Sequence, residues 1–160
     1  DIDDATADMI SLAALKYTIL KQQPGKNAIF DEEQALSFEG DSGPYLQYTH
    51  ARCKSLLEKG KGEGLEPGAL VDDNWQTANV EKLLYRFPEI IEMALDNYAP
   101  NYITTYLIEL ARDFNSFYGN TKIVDATDPN SPYKLALTQA VATVLKNGLH
   151  VLGIKAPDKM

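Results

Sequence analysis

Tyr45, Tyr48 and Arg52 follow one another at steps of three and four residues. On a helix, such steps put side chains on one face. Tyrosines beside an arginine make a platform on which splayed bases of single-stranded RNA can stack, with the cation assisting. The same spacing also suits a plainer arrangement, in which both rings pack on a neighbouring helix with their hydroxyls outward. At about 100° per residue, Leu46, Thr49, Cys53, Leu56 and Leu57 align on a second stripe, itself rotated by about 100° from the first. The helix therefore presents an aliphatic face and an aromatic face that carries a cation.

Residues with enzyme-like chemistry do not assemble in the same way. His50 and Cys53 are three apart, but a thiol–imidazole pair needs a third orienting group and an electropositive pocket. Cys53 lies on the aliphatic stripe and reads as a small buried hydrophobe. His50 lies at the edge of that stripe, and His150 falls near the end of the last helix. Two isolated histidines without ligand spacing do not make a zinc site. The adjacent pairs Asp3-Asp4, Glu32-Glu33 and Asp72-Asp73 diverge on a helix and read as caps and solvated loops. Gly60-Lys61-Gly62-Glu63-Gly64 reads as a flexible loop, because it lacks phosphate-cradle spacing and no strand precedes it. We expect no catalytic, metal or cofactor site in this chain.

The elements that position these residues are helices. Asp4 is a plausible N-cap for a first helix carrying Ile10, Ala13, Ala14, Tyr17 and Leu20, which Pro24-Gly25 ends. A short turn of helix starts at Asp31, and residues 40–43 break it. The aromatic helix opens at Pro44 and runs to about Lys59. Helix resumes near Asn74, and Phe87-Pro88 splits it into two. Pro100-Asn101 starts a strongly amphipathic helix through Ile103, Tyr106, Leu107, Leu110, Ala111, Phe114, Phe117 and Tyr118, which Gly119-Asn120 stops. After turn residues 125–132, a last helix carries Leu137, Val141, Val144, Leu145, Leu149 and Leu152, and residues 154–160 form an irregular tail. No stretch alternates with period two, so the fold class is all-α, a helical bundle.

The 160 residues suit one compact domain, with 44% hydrophobic and 24% charged side chains. A single Cys rules out an internal disulfide. No apolar run approaches the roughly 20 residues of a membrane span. The acidic start, Asp1-Ile2-Asp3-Asp4, does not read as a targeting peptide, and a first residue other than Met suggests a processed or trimmed chain. Net charge is −8, which taken alone argues against a phosphate-rich partner. The charge is uneven: residues 1–40 and 66–100 each sum to −5, while residues 41–65 and 101–160 each sum to +1.

The segment Leu36-Ser37-Phe38-Glu39-Gly40-Asp41-Ser42-Gly43-Pro44-Tyr45-Leu46-Gln47-Tyr48-Thr49-His50-Ala51-Arg52 resembles a signature of arginyl-tRNA synthetases. Ala14-Leu15-Lys16-Tyr17 and Phe30-Asp31 are similar to the same family, as are Tyr106-Leu107, Leu110-Ala111, Phe114-Asn115 and Phe117-Tyr118. So are Val144-Leu145-Lys146-Asn147-Gly148-Leu149, Leu152-Gly153-Ile154 and the ending Ala156-Pro157-Asp158-Lys159-Met160. The similarity runs in order over almost the whole chain and is weakest in residues 60–73.

The resemblance implies a class I aminoacyl-tRNA synthetase, which joins arginine to its tRNA using ATP, with Mg, in the cytoplasm. It implies that residues 1–40 are connecting helices after a catalytic domain, and that residues 41–160 are the DALR anticodon-binding helical domain. The family's His-Ile-Gly-His-type nucleotide motif does not occur here, so this chain alone should not activate arginine. Matched motif by motif, the tRNA anticodon-binding residues are Tyr45, Tyr48, Tyr118 and Met160, with Arg52 carried over beside them. Arginine anticodons mostly share a middle cytosine, whose exocyclic amine a carboxylate can accept from. A free carboxy terminus gives Met160 that group. One departure is Lys134, where the family more often has Arg; Lys lacks the planar fork of a bidentate contact. The implied partners are the tRNA for arginine and the catalytic domain of the same enzyme. The rival is a stand-alone helical protein–protein interaction module that docks a partner on its aromatic faces.

Overall fold

The computed structural model describes residues 3–71 and 75–160. Six helices account for the secondary structure of the described residues: α1 (Asp4–Leu20), α2 (Glu32–Ala35), α3 (Gly43–Gly62), α4 (Asn79–Asp96), α5 (Asn101–Asn120) and α6 (Ser131–Val151). The all-α expectation holds. Helix α3 packs chiefly against α6 and α1, and α4 packs against α5. One apolar core joins them, with Tyr17 of α1, Leu46 and Cys53 of α3, Leu83 of α4, Leu107 and Phe114 of α5, and Leu135 and Leu145 of α6.

The helix starts follow from local hydrogen bonding. Asp3, one residue before the expected cap, closes α1 by accepting from the Thr6 N–H at 2.7 Å. Helix α1 ends at Leu20, three residues short of the last one before Pro24. Asp31 caps α2 as expected. Ser42 caps α3: its Oγ accepts from the Tyr45 N–H at 3.1 Å and itself donates to the Ser37 carbonyl. One hydroxyl thus starts the aromatic helix and fixes the loop before it.

Two expectations about helix ends fail. The segment Gly60-Lys61-Gly62 is the last turn of α3, not a flexible loop. The cause is close helix packing. Gly60 is buried against α6, where a Cβ would lie 2.8 Å from Leu135 Cδ1, so the missing side chain is what lets the helix continue into the bundle. Helix α4 begins at Asn79 rather than near Asn74, which falls outside the described residues. Its start is fixed by Glu81, whose Oε1 accepts from the Ala78 N–H and from Trp75 Nε1, each at 2.9 Å. Trp75 in turn packs edge-on to Tyr133, with ring centroids 5.4 Å apart.

A third expectation fails at Pro88, which sits inside an uninterrupted α4. Proline removes one backbone donor and crowds the preceding turn. Here it lies on the exposed side, while Val80, Leu83, Ile90 and Ala94 anchor the buried face on both sides of it. Tertiary packing therefore outweighs the local break.

Gly43 and Gly62 separate packing from propensity. A Cβ at Gly43 would run into the Ala13 carbonyl of α1, whereas one at Gly62 meets nothing within 4 Å. Gly43→Ala should cost about 1–3 kcal/mol, because backbone must move. Gly62→Ala should stabilise by up to about 1 kcal/mol through helix propensity. Urea unfolding of both variants checks the pair, and equal midpoints would contradict the close α1–α3 approach.

Candidate nucleic-acid interface

The sequence-derived trio on α3 does share one face, and α5 brings Tyr118 to it. Arg52 Nη2 donates to the Tyr48 hydroxyl at 3.2 Å. The guanidinium carbon lies 4.8 Å from the Tyr48 ring centroid and 5.2 Å from that of Tyr118. Arg52 is therefore held between two tyrosine rings, a double cation–π arrangement. Among the described residues no carboxylate comes within 4.0 Å of it. The guanidinium keeps its full charge at the surface.

The two readings of the tyrosines divide between them. Tyr45 is half-buried and packs on the core, and its hydroxyl points inward to accept from Asn115 Nδ2 at 2.9 Å. Tyr48 and Tyr118 remain 38% and 41% exposed, so their rings are available to a partner. Phe38, from the loop that Ser42 fixes, meets Tyr48 edge-on at 6.1 Å. Phe38, Glu39, Tyr45, Tyr48, Arg52 and Asn115 line a shallow depression beside the rings.

Met160 belongs to a different contact. The tail runs along another flank of α3, in the direction of the helix. Gln47 Nε2 donates to the Lys155 carbonyl at 2.7 Å, and His50 Nδ1 meets the Pro157 carbonyl at 3.0 Å. Lys54 lies 3.9 Å from Asp158, and Lys159 lies 3.8 Å from Glu58. An extended chain rises about 3.3 Å per residue and a helix about 1.5 Å, so each tail residue can match two or more residues of α3. No hydrogen bond or ring contact joins Met160 to the tyrosines, and its side chain is exposed. The structure thus brings together Tyr45, Tyr48, Arg52 and Tyr118, and leaves Met160 at the end of a separately docked strap.

Other singled-out residues are structural. Cys53 is fully buried in the core, and burial pushes its thiol up, away from the reactive thiolate. Lys134 is also buried. Its Nζ reaches Asp128 Oδ2 at 2.5 Å and the Lys122 carbonyl at 3.2 Å, so its charge serves the loop before α6. The Lys134 ammonium holds the Asp128 carboxyl below its ordinary range. The Asp3-Asp4 and Glu32-Glu33 pairs sit at helix starts, and Asp72-Asp73 lies outside the described residues. Among the described residues no three His, Cys, Asp or Glu side chains converge as a metal site would require, and no helix is long and apolar enough to cross a membrane.

Asn115 and His50 are the residues that sequence reasoning undervalued. Asn115 lies three positions before Tyr118, a spacing that puts both on one helix face and could have drawn notice. For His50 the signal was its place at the edge of the buried stripe. Its link to the tail, over 100 residues away, had none.

Fold and surface together define an all-α module with an exposed aromatic–cationic platform. Residues 46–160 match the DALR anticodon binding domain family. The chain belongs to that family. It is 42% identical to the arginine–tRNA ligase of Thermococcus kodakarensis, over 98% of this chain and 26% of that protein. It is 38% identical to the arginine–tRNA ligase of Streptococcus pneumoniae, over 98% of this chain and 28% of that protein. The fold superposes on the Thermus thermophilus arginyl-tRNA synthetase with a TM-score of 0.82 at 33% identity, covering 100% of this chain and 28% of that one. The chain spans about a quarter of the length of the curated relatives it matches.

The His50 strap contact has a pH signature. Burial lowers the His50 pKa from 6.5, against opposing contributions from Pro157 and Asp158, while Lys146 and Lys54 lower it further. The unfolded chain then binds the His50 proton more readily than the fold does. Stability should fall as pH drops below about 6.5, until the lower folded pKa is passed, and His50 should contribute no slope above pH 7.5. Denaturant midpoints between pH 7.5 and 5.5 check this. His50→Asn should flatten the dependence.

Proposed function

We propose that this chain is the anticodon-binding part of an arginine–tRNA ligase, and that it selects tRNA for arginine by receiving unstacked anticodon bases. The observation that carries the reading is the Tyr48–Arg52–Tyr118 cluster, exposed on a domain of the DALR family. Anticodon bases are single-stranded and can stack on aromatic rings and guanidinium planes. Tyr48 and Tyr118 offer the rings, and Arg52 offers an unneutralised cation.

The complete enzyme, in this reading, forms an arginyl adenylate from ATP and passes the arginine to the tRNA 3′ end. ATP and Mg are handled by a catalytic domain that precedes residue 1, to which residues 1–40 connect. This chain alone is then inactive in aminoacylation. Gly60-Lys61-Gly62 is the last turn of α3, packed on α6, which supports handling of the phosphates elsewhere. The setting is cytoplasmic, where translation takes place.

Base reading divides between the platform and the strap. The terminal carboxylate of Met160 is suited to accept from a cytosine amine, and a net charge of −8 leaves little general affinity for phosphates. Titration of the 160-residue chain with tRNA at several salt concentrations tests the reading. Changing the middle anticodon base should cost affinity at every salt concentration. Binding that ignores that base, or no binding, would favour the helical protein–protein module.

Two expectations follow for variants. Tyr48→Ala and Tyr118→Ala should each remove roughly 1–3 kcal/mol of tRNA binding while the helical circular-dichroism spectrum persists. A tag added after Met160 should weaken tRNA binding more than the same tag before Asp1. Equal affinity of the two tagged chains would sink the role given to the terminal carboxylate.

A further inference from the structure

Asn115 touches three residues of α3 with one side chain. Its Nδ2 donates to the Tyr45 hydroxyl at 2.9 Å and to Thr49 Oγ1 at 3.1 Å. Its Oδ1 accepts from Arg52 Nη1 at 2.6 Å. Asn115 sits one turn before Tyr118 on α5, so the amide spans the seam between the two helices that carry the platform.

The chemistry of an amide matters here. An arginine side chain carries much rotamer freedom, and fixing its planar head needs an acceptor. A carboxylate at this position would fix it but would also neutralise it. The amide oxygen fixes it and leaves the charge intact. The amide nitrogen, at the same time, holds the half-buried Tyr45 and the fully buried Thr49. Arg52 then has its place set by three groups: Asn115 at Nη1, Tyr48 at Nη2, and the rings of Tyr48 and Tyr118 on either side.

We infer that Asn115 is a positioning residue for RNA recognition: its neutral amide locks a fully charged Arg52 guanidinium between Tyr48 and Tyr118. The RNA half of this inference rests on the anticodon-binding reading above, and the structural half does not. Asn115 itself need not touch RNA. It sets the distance and orientation at which the guanidinium and rings meet an incoming base or phosphate. It also ties α5 to α3, so that Tyr118 and Tyr48 face the same guanidinium.

The test uses the 160-residue chain with Asn115→Ala and Asn115→Asp, each with Arg52→Ala as background, read by two measurements. The first is the nitrogen-15 spectrum of arginine guanidinium groups without RNA. Wild type should give a resolved, slowly rotating Arg52 head group, and Asn115→Ala should give an averaged one. An unchanged Arg52 signal in Asn115→Ala would overturn the positioning role, whatever the tRNA result. The second is tRNA affinity. Asn115→Ala should weaken binding by about ten- to a hundredfold, the range expected for losing a hydrogen bond to a charged group. It should weaken it far less once Arg52 is already Ala. Asn115→Asp should keep Arg52 ordered yet still bind tRNA more weakly, because the added carboxylate cancels the charge. Wild-type affinity in Asn115→Asp, or an equal loss with and without Arg52, would overturn the RNA half. If wild type shows no anticodon dependence while Asn115→Ala still frees Arg52, the anticodon reading fails and the lock on Arg52 stands.

Discussion

Gln47 ties the molecule together. It is fully buried in α3, and its Nε2 donates to the Met9 carbonyl of α1 at 3.1 Å and to the Lys155 carbonyl of the tail at 2.7 Å. One amide therefore sets α1, α3 and the strap relative to each other. Losing it would remove the one side-chain bridge between the Met9 carbonyl, which keeps its own helical partner, and the Lys155 carbonyl of the tail. Its neighbours on the helix then divide the work. Leu46 and Cys53 face the core, Tyr48 and Arg52 face outward, and His50, Lys54 and Glu58 carry the strap. Helix α3 can serve these directions at once because close contacts hold it in the bundle at each end: Gly43 against Ala13, and Gly60 against Leu135.

The charge distribution supports a division between grip and selection. A chain of net charge −8 repels the phosphate backbone on average, so contacts that survive must be local. Arg52 is one such place, since the described residues supply it with an amide and two rings but no carboxylate. Lys134 illustrates the opposite case. It is a cation spent inside the fold, on Asp128, and is unavailable to a partner. Counting basic residues would treat the two alike. Their surroundings separate them.

The sequence made the bundle legible because amphipathic spacing is a local property. The buried sets on α5 and α6 fall largely where their three- and four-residue steps placed them, but Tyr118, on the same α5 stripe, stands exposed. The aromatic face of α3 was legible for the same reason. What was not legible depends on partners distant in the chain. Residues 60–62 look like a loop by composition and become helix only because Leu135 needs a neighbour without a side chain. Pro88 looks like a break and is overridden by apolar anchors on either side of it. Spacing left open whether the Tyr45 ring stacks on a partner or packs on a neighbouring helix, and that is decided by Asn115, 70 positions away, which claims its hydroxyl. Family resemblance supplied Tyr118 and Met160 as candidates, but only the packing of α5 on α3 puts Tyr118 beside Arg52, while the tail that leads to Met160 docks on another flank of α3.

That separation constrains how recognition can work. The platform and the strap lie on different flanks of one helix, so their spacing is set by α3 itself. From Arg52 to Glu58 the helix rises about 9 Å at about 1.5 Å per residue, and this distance is as stiff as the helix. A flexible Gly60–Gly62 segment would have left the far end of that ruler loose. Because the helix runs through to Gly62, Glu58, which meets Lys159 of the tail at 3.8 Å, lies inside it and not at its end. Two weak contacts on a rigid spacer can discriminate better than one strong contact, because a ligand that satisfies the first must present its second group at a fixed place or lose it.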